Sequence, residues 1–361
     1  MCLRSAPATV ILASQDATET ITAVTQAVDD ALCDDAGLLE GVTSLMLLAD
    51  ASATPGTALT FGAVRTRNRS LIRTDREHGR GQRIMHALTE VTAPSPVLIA
   101  DTANTTPSSE TYRGLLDRVR GGAAIAIAEH PHFWDHGHGL LTDLLARPLT
   151  AATLGQDVPT PLATDLALSP KAWRTVRAQW TKLAPELRRC AGGHGIDTFL
   201  LQAAATTGPI ARVRVPHVGG HPEPALAQLP RIYRDVAPLL LAPAATRIPQ
   251  VVELALPRLA ARRVHPEEIT ARRERLAGLA RTEAGAHWSA AVAGAWHSIA
   301  TTTCEDARDA ADLVLDTAER LWPAFVHQLR HAFQLGATSS APQCQQQRWR
   351  WSSDVITAIT K

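Results

Sequence analysis

The chain has 361 residues, 45% of them hydrophobic and 20% charged, so it is long enough for a large domain with a further region and too apolar to be a disordered tail. Thirty-six basic against 35 acidic residues leave a formal charge of +1 with no dense basic run, which excludes the electrostatic footprint of a nucleic-acid binder. Five scattered cysteines without a C-x-x-C pair argue against a disulfide framework or a zinc ribbon, and no apolar run approaches the about 18 residues of a membrane span. With no signal-like start, the expectation is a cytoplasmic protein without a membrane anchor.

In chain order, Ala8 to Ala13 is a β-branched apolar block followed by Ser14-Gln15-Asp16, and Ile21, Val24, Val28 and Leu32 then repeat at helical spacing. Ser44 to Ala49 ends in Asp50-Ala51-Ser52, a third block surrounds Ser70 to Arg73, and Pro96 to Ala100 ends in Asp101-Thr102. Helical patterns lie at Gly81 to Val91 and Ser109 to Val119, and Gly122 to Glu129 is another buried strand. This alternation predicts an α/β fold, a mostly parallel sheet flanked by helices, with Asp16, Asp50 and Asp101 at one crevice beyond the strand ends.

Leu140 to Thr153 reads as helix, Ile196 to Ala205 as another after the turn at Gly192-Gly193, and Ile210 to Val215 as a strand. From about residue 225 the pattern is helical: 225–242, 247–261, 267–284, 286–301 and 305–334, then an amphipathic end around Arg348-Trp349-Arg350-Trp351 that can dock on the chain itself or on a second copy. The expected division is 1–224 for the α/β domain and 225–361 for a C-terminal helical region.

Several polar positions admit two readings. Asp101 after an apolar strand fits an Asx turn or helix cap as well as a hard-oxygen ligand for a divalent cation. Gly79-Arg80-Gly81 is a turn before a helix, or a place where backbone N–H groups and a guanidinium approach phosphate. Asp50 with Ser52 forms an ordinary capping turn or holds a ligand hydroxyl. Asp165 is a lone carboxylate before an apolar run, and Asp197, at a helix start, suits the helix dipole. His130, His132, His136 and His138 with Asp135 carry enough ligands for zinc or nickel, but in H-x-H-x-x-x-H-x-H spacing, which favours a polar, pH-sensitive loop.

The order of these motifs resembles the retaining GT-A glycosyltransferases related to mannosylglycerate synthase and glucosyl-3-phosphoglycerate synthase. Ile11 to Asp16 resembles their first nucleotide-binding segment, Asp50-Ala51-Ser52 the second acidic turn, and His78-Gly79-Arg80-Gly81 the G-K-G loop. Ala100-Asp101-Thr102 stands at the D-x-D, Thr160 to Ser169 is similar to the Q-P-L segment of the sugar pocket, Gly195-Ile196-Asp197 to a helix start, and Val215 to His221 to a loop whose last histidine ligates the cation. The collinear likeness covers about residues 8–224. Ile99 stands where the first aspartate of the D-x-D would, Arg80 replaces the lysine and Thr160 the glutamine.

The resemblance implies a GT-A fold and Mg²⁺ or Mn²⁺ held by Asp101 and His221. It implies a donor site of Ala13, Ser14, Asp16, Asp50, Ser52, Gly79, Arg80, Asp101 and Thr102, and catalytic roles for Asp165 and Asp197. The expected reaction is transfer from a nucleoside diphosphate sugar, GDP-linked by preference, to a small acceptor with a hydroxyl or thiol, with retention. A secondary-metabolite pathway suits the altered motifs and the arginine-rich, nearly lysine-free composition. A catalytically decayed relative that binds a nucleotide sugar or a partner is the alternative that the missing aspartate allows.

Overall fold

The computed structural model describes residues 7–33, 44–74, 79–92, 94–129, 137–215, 226–255, 287–338 and 341–361. The chain divides into two compact units. The first takes in 1–130, 163–183 and 192–222, and the second 131–162, 184–191 and 223–361.

The first unit is built on a seven-stranded sheet. Its strands are β1 (Thr9–Ser14), β2 (Leu45–Asp50), β3 (Arg69–Thr74), β4 (Val97–Asp101), β5 (Ile125–Glu129), β6 (Leu166–Leu168) and β7 (Ile210–Arg214), in the order β3-β2-β1-β4-β6-β5-β7. All pairs are parallel except those of β6, which runs antiparallel to both β4 and β5. β1 is buried along all six residues, as a central strand covered on both faces must be, and this is why its sequence reads as an unbroken apolar run rather than an alternation.

On one face Val10, Leu12, Met46, Leu48, Leu98 and Ala100 meet Ile21, Val24 and Val28 of α1 (Ile21–Cys33), Phe61 of α2 (Gly56–Ala63), and Tyr112, Leu115 and Leu116 of α4 (Ser109–Arg120). Burying each such side chain contributes about 1.5–3 kcal/mol before the entropy of ordering it is counted. α3 (Arg80–Glu90) packs on β1 and β2 through a buried face that includes Ile84 and Leu88. α7 (Pro170–Lys182) and α9 (Ile196–Ala205) follow on β6 and β5, joined by an edge contact of Trp180 with Phe199 at 5.7 Å. The start of α7 is set by Ser169, whose hydroxyl accepts the Ala172 N–H at 3.2 Å, and by Pro170, whose missing N–H costs nothing in a first turn.

The second unit is helical. Gly137–Leu141 (α5), a π-helical turn at Thr142–Ala146 and Arg147–Leu154 (α6) run on from one another, and Pro185–Gly192 (α8), Leu229–Leu241 (α10), Trp288–Thr301 (α11), Ala307–Thr338 (α12) and Ala341–Ile359 (α13) are its other described α-helices, the expected helix over 267–284 lying outside the described residues. The core is aromatic: Tyr233 stacks on Phe325 at 5.0 Å, its hydroxyl donates to the Ala318 carbonyl at 3.0 Å, and Trp288 donates to the Leu144 carbonyl. The amphipathic end docks on its own chain, with Trp351, Val355 and Ile359 in that core and Trp349 bonded to the Leu254 carbonyl at 2.7 Å.

The helix expected over 247–261 is not present in its described part. Residues 247–255 are irregular, Gln250 N–H bonding to the Ala152 carbonyl and Leu254 packing on Ala151 and Ile356. Pro249 removes a donor, and the residue before a proline is driven out of helical geometry, which outweighs the apolar spacing. Among the described residues no helix is long and apolar enough to cross a membrane.

Candidate functional site

Parallel strands deliver their outgoing turns to one rim of the sheet, and in the first unit those turns are tied to one another by short polar side chains. Asp16 follows β1 with φ +53°, a left-handed conformation that aspartate tolerates better than most residues. Its N–H donates to Ser52 Oγ at 2.8 Å, while its Oδ1 accepts the Ala53 N–H at 3.3 Å. Asp50 is buried, and its Oδ1 accepts both the N–H and the hydroxyl of Ser52. The Asp50-Ser52 turn is thus an Asx turn that caps no helix, since α2 begins at Gly56 without a side-chain cap, and its serine also fixes the β1 turn. Asp16 remains exposed.

Ala13 and Thr102 hold each other, Thr102 Oγ1 donating to the Ala13 carbonyl at 3.0 Å across the β1–β4 pair, where Ala13 lies opposite Asp101. Thr20 donates in turn to the Thr102 carbonyl. Ser14 is fully buried at the end of β1, its carbonyl accepting the Ala51 N–H at 3.0 Å. These three residues therefore shape the floor of the rim with backbone and buried hydroxyls, and Asp16 is their exposed continuation.

The glycine loop is explained by another backbone. Gly79 has φ +106°, and a Cβ there would lie 2.4 Å from the Gly192 carbonyl oxygen, so only glycine fits. The Gly81 N–H donates to the Gly193 carbonyl at 3.3 Å. Two glycine turns that look unrelated along the sequence are each other's packing partners, and the contact brings the start of α3 against the segment leading into α9.

That contact places Arg80 beside Asp197. Arg80 Nη1 donates to Asp197 Oδ1 at 2.5 Å and Nη2 to the Thr164 carbonyl at 3.0 Å, both side chains being largely buried. Burial works to lower the Arg80 pKa, but attraction to Asp197, then Asp101 and Asp165, outweighs it and the net shift is upward. Asp197 is raised, by burial first, with Arg80 opposing. Four residues named from separate motifs, Arg80, Asp101, Asp165 and Asp197, thus share one electrostatic neighbourhood.

Asp101 closes β4 and is only half-buried. Its Oδ1 accepts the Ala103 N–H at 2.9 Å, and its own N–H donates to Asp165 Oδ1 at 2.7 Å. Asn104, on the turn after β4, donates from Nδ2 to Asp165 Oδ2 at 3.2 Å. Among the described residues Arg80 faces three carboxylates, and His194 also acts on Asp197.

Among the described residues no group of three or more His, Cys, Asp or Glu side chains converges to hold a metal ion. The donor set fits a narrower case: Mg²⁺ or Mn²⁺ with one protein carboxylate, Asp101, and its remaining oxygen ligands from phosphate and water. His221, the other expected ligand, and His130 to His136 with Trp134 lie outside the described residues, as does His78.

No protein-family model matches the sequence. None of the curated proteins matches it either. Among solved structures the chain is similar to glucosyl-3-phosphoglycerate synthase from Mycobacterium tuberculosis in complex with Mn²⁺, UDP and glucosyl-3-phosphoglycerate, with 22% identity, 66% of this chain and 80% of that chain covered, and a TM-score of 0.48. It is similar also to mannosyl-3-phosphoglycerate synthase from Rubrobacter xylanophilus, at 19% identity, 65% and 73% coverage and a TM-score of 0.46. A third likeness, to TarS 1-349 of S. aureus, has 10% identity, 98% and 90% coverage and a TM-score of 0.45.

Proposed function

We propose that this chain is a glycosyltransferase moving a sugar from a nucleoside diphosphate sugar to a small polar acceptor at the rim of its mostly parallel sheet. The observation that carries the reading is the convergence of Arg80, Asp101, Asp165 and Asp197, drawn from four sequence motifs, on the rim where α/β sheets of this kind bind ligands. In this reading residues 1–224 carry donor binding and chemistry, and the helical region 225–361 supports a second copy or a partner.

The departing diphosphate gains negative charge as the glycosidic bond breaks, and fixed positive charge aimed at it lowers the barrier. Arg80, held as a fork by Asp197 and Thr164, is oriented for that task. Asp101, with His221, would hold Mg²⁺ or Mn²⁺, an ion that when bound neutralises the diphosphate and polarises its oxygens. Asp16 and the Asp50-Ser52 turn offer carboxylate and hydroxyl groups to base and ribose. Asp197, beside Arg80, fixes sugar or acceptor hydroxyls.

A GDP-linked donor, retention of configuration, a hydroxyl or thiol acceptor and a secondary-metabolite setting complete the proposal, on the strength of the motif resemblance. A second reading is favoured by the solitary carboxylate of the reduced D-x-D: a relative that binds the nucleotide sugar without turnover.

A thermal-shift panel of GDP- and UDP-sugars with and without Mn²⁺ tests both. The expected result is a shift that needs the ion and falls in Asp101→Ala; an undiminished shift in that variant removes Asp101 from the site. Sugar release or transfer abolished by chelator supports the transferase, and ion-dependent binding without turnover supports the second reading. In this reading phosphate oxygens complete the ion's ligand shell, so Mn²⁺ alone should bind at least tenfold more weakly than Mn²⁺ with a nucleoside diphosphate, which calorimetry checks.

A further inference from the structure

Asp165 is 1% exposed, and its two carboxylate oxygens accept bonds from the end of β4 and the turn that follows it: Oδ1 from the Asp101 N–H at 2.7 Å and Oδ2 from Asn104 Nδ2 at 3.2 Å. Its backbone carbonyl accepts the Ala128 N–H of β5 at 3.0 Å, and the preceding carbonyl, Thr164, takes Arg80 Nη2. Register places Leu166 opposite Ile99, so Asp165 enters the sheet level with the end of β4. Asn104 is held from its other side, its Oδ1 accepting the Thr106 N–H at 3.0 Å.

From this geometry we infer that Asp165 is a positioning residue: it braces the Asp101–Asn104 turn, and with Thr164 sets Asp101 and Arg80 at a fixed separation, without itself touching substrate. The inference rests on the donor-site reading above and assigns a different role to one of its carboxylates. A buried carboxylate accepting an amide N–H makes a charge-assisted bond, stronger than a neutral one. Asp101 then enters the site with its backbone already ordered, and binding does not have to order it.

The brace has a polarity that can be exchanged. Asp165→Asn sets the new amide against the Asn104 amide, two donors face to face. Adding Asn104→Asp restores one donor and one acceptor, keeps an acceptor for the Asp101 N–H on residue 165, keeps one for the Thr106 N–H on residue 104, and moves the charge one residue across the bond. A substrate-binding carboxylate at 165 would not be rescued by that exchange.

The experiment measures the affinity of UDP and of GDP with Mn²⁺ by calorimetry, the Mn²⁺ resonance spectrum of the complex, and hydrogen exchange at the Asp101 amide in the protein alone. The wild type is compared with Asp165→Asn, Asn104→Asp and the double variant. Asp165→Asn should weaken binding between about tenfold and a hundredfold and speed exchange at Asp101, and the double variant should return to within about threefold of the wild type with its spectrum restored. Wild-type binding by Asp165→Asn, or a double variant no better than the single, overturns the proposal. If the wild type binds neither diphosphate, the donor-site reading has failed. Exchange at Asp101 then decides the brace: faster in Asp165→Asn and slowed again in the double variant if it is there, unchanged if it is not.

Discussion

Arg80 in the first unit is largely buried and Arg147 in the second fully so, each bonded to an aspartate, yet their surroundings differ in the groups that face them. Arg147 meets Asp157 with both arms of its fork, at 2.8 and 2.7 Å, and gives a further bond to the Ala255 carbonyl at 2.6 Å, while the Ala255 N–H returns to Asp157 at 3.0 Å. That circuit is closed, with one cation, one anion and a strand of backbone pinned between them. Arg80 gives one arm to Asp197 and one to a carbonyl, and two further carboxylates face it. A balanced pair holds a fold together. Among the described residues the rim cluster sets Arg80 among three carboxylates, with His194 acting on Asp197 as well, and such a concentration of charged groups at a ligand-binding rim marks a candidate site rather than a strut.

The contrast can be broken from the structural side first. Arg147→Ala leaves Asp157 buried without its partner and should cost about 3–5 kcal/mol, read from urea unfolding. A loss below about 1 kcal/mol would mean that the circuit is not what pins the segment near Ala255. Arg80→Ala should weaken nucleoside diphosphate affinity with Mn²⁺ by roughly ten- to a hundredfold, checked by calorimetry. Arg80→Lys should recover part of it, since an ammonium keeps the charge but not the fork.

The smallest effect concerns pH. Asp197 has a raised folded-state pKa, so its proton binds the folded chain more tightly than the unfolded one. The stability that this proton supplies is full below the ordinary carboxylate range and is lost as pH rises through the raised value. Thermal unfolding from acid to neutral pH should therefore show a decline that flattens in Asp197→Asn, by at most about one proton per molecule. An identical slope in both proteins would place the titration elsewhere.

Much of the sheet was legible because β1, β2, β4 and β5 are covered on both faces, and such strands announce themselves as apolar runs ending in polar turns. The aspartates that close them could be named for the same reason. β6 escaped, since three residues, Leu166 to Leu168, carry no periodicity and its antiparallel direction comes from neighbours distant in sequence. Nor could sequence pair Arg80 with Asp197, which lie 117 positions apart; the signal was there in two glycine turns, but nothing local says that they touch. Asn104 carries no local signal of its role, because its partner, Asp165, lies 61 residues on. The apolar spacing over 247–255 fits a helix, and Pro249 overrides it.

The reversed strand has a consequence for how this rim tolerates change. Turns that leave β1, β2 and β4 can lengthen outward while their strands stay in place. The chain that enters β6 has no such latitude: its register with Ile99 and Ile127 is fixed at Leu166, and one residue inserted after Asp165 would turn the Leu166-Ala167-Leu168 faces inside out or carry the carboxylate off the rim. Among descendants of this chain, length variation should collect in the outgoing turns and stop short at the entrance to β6.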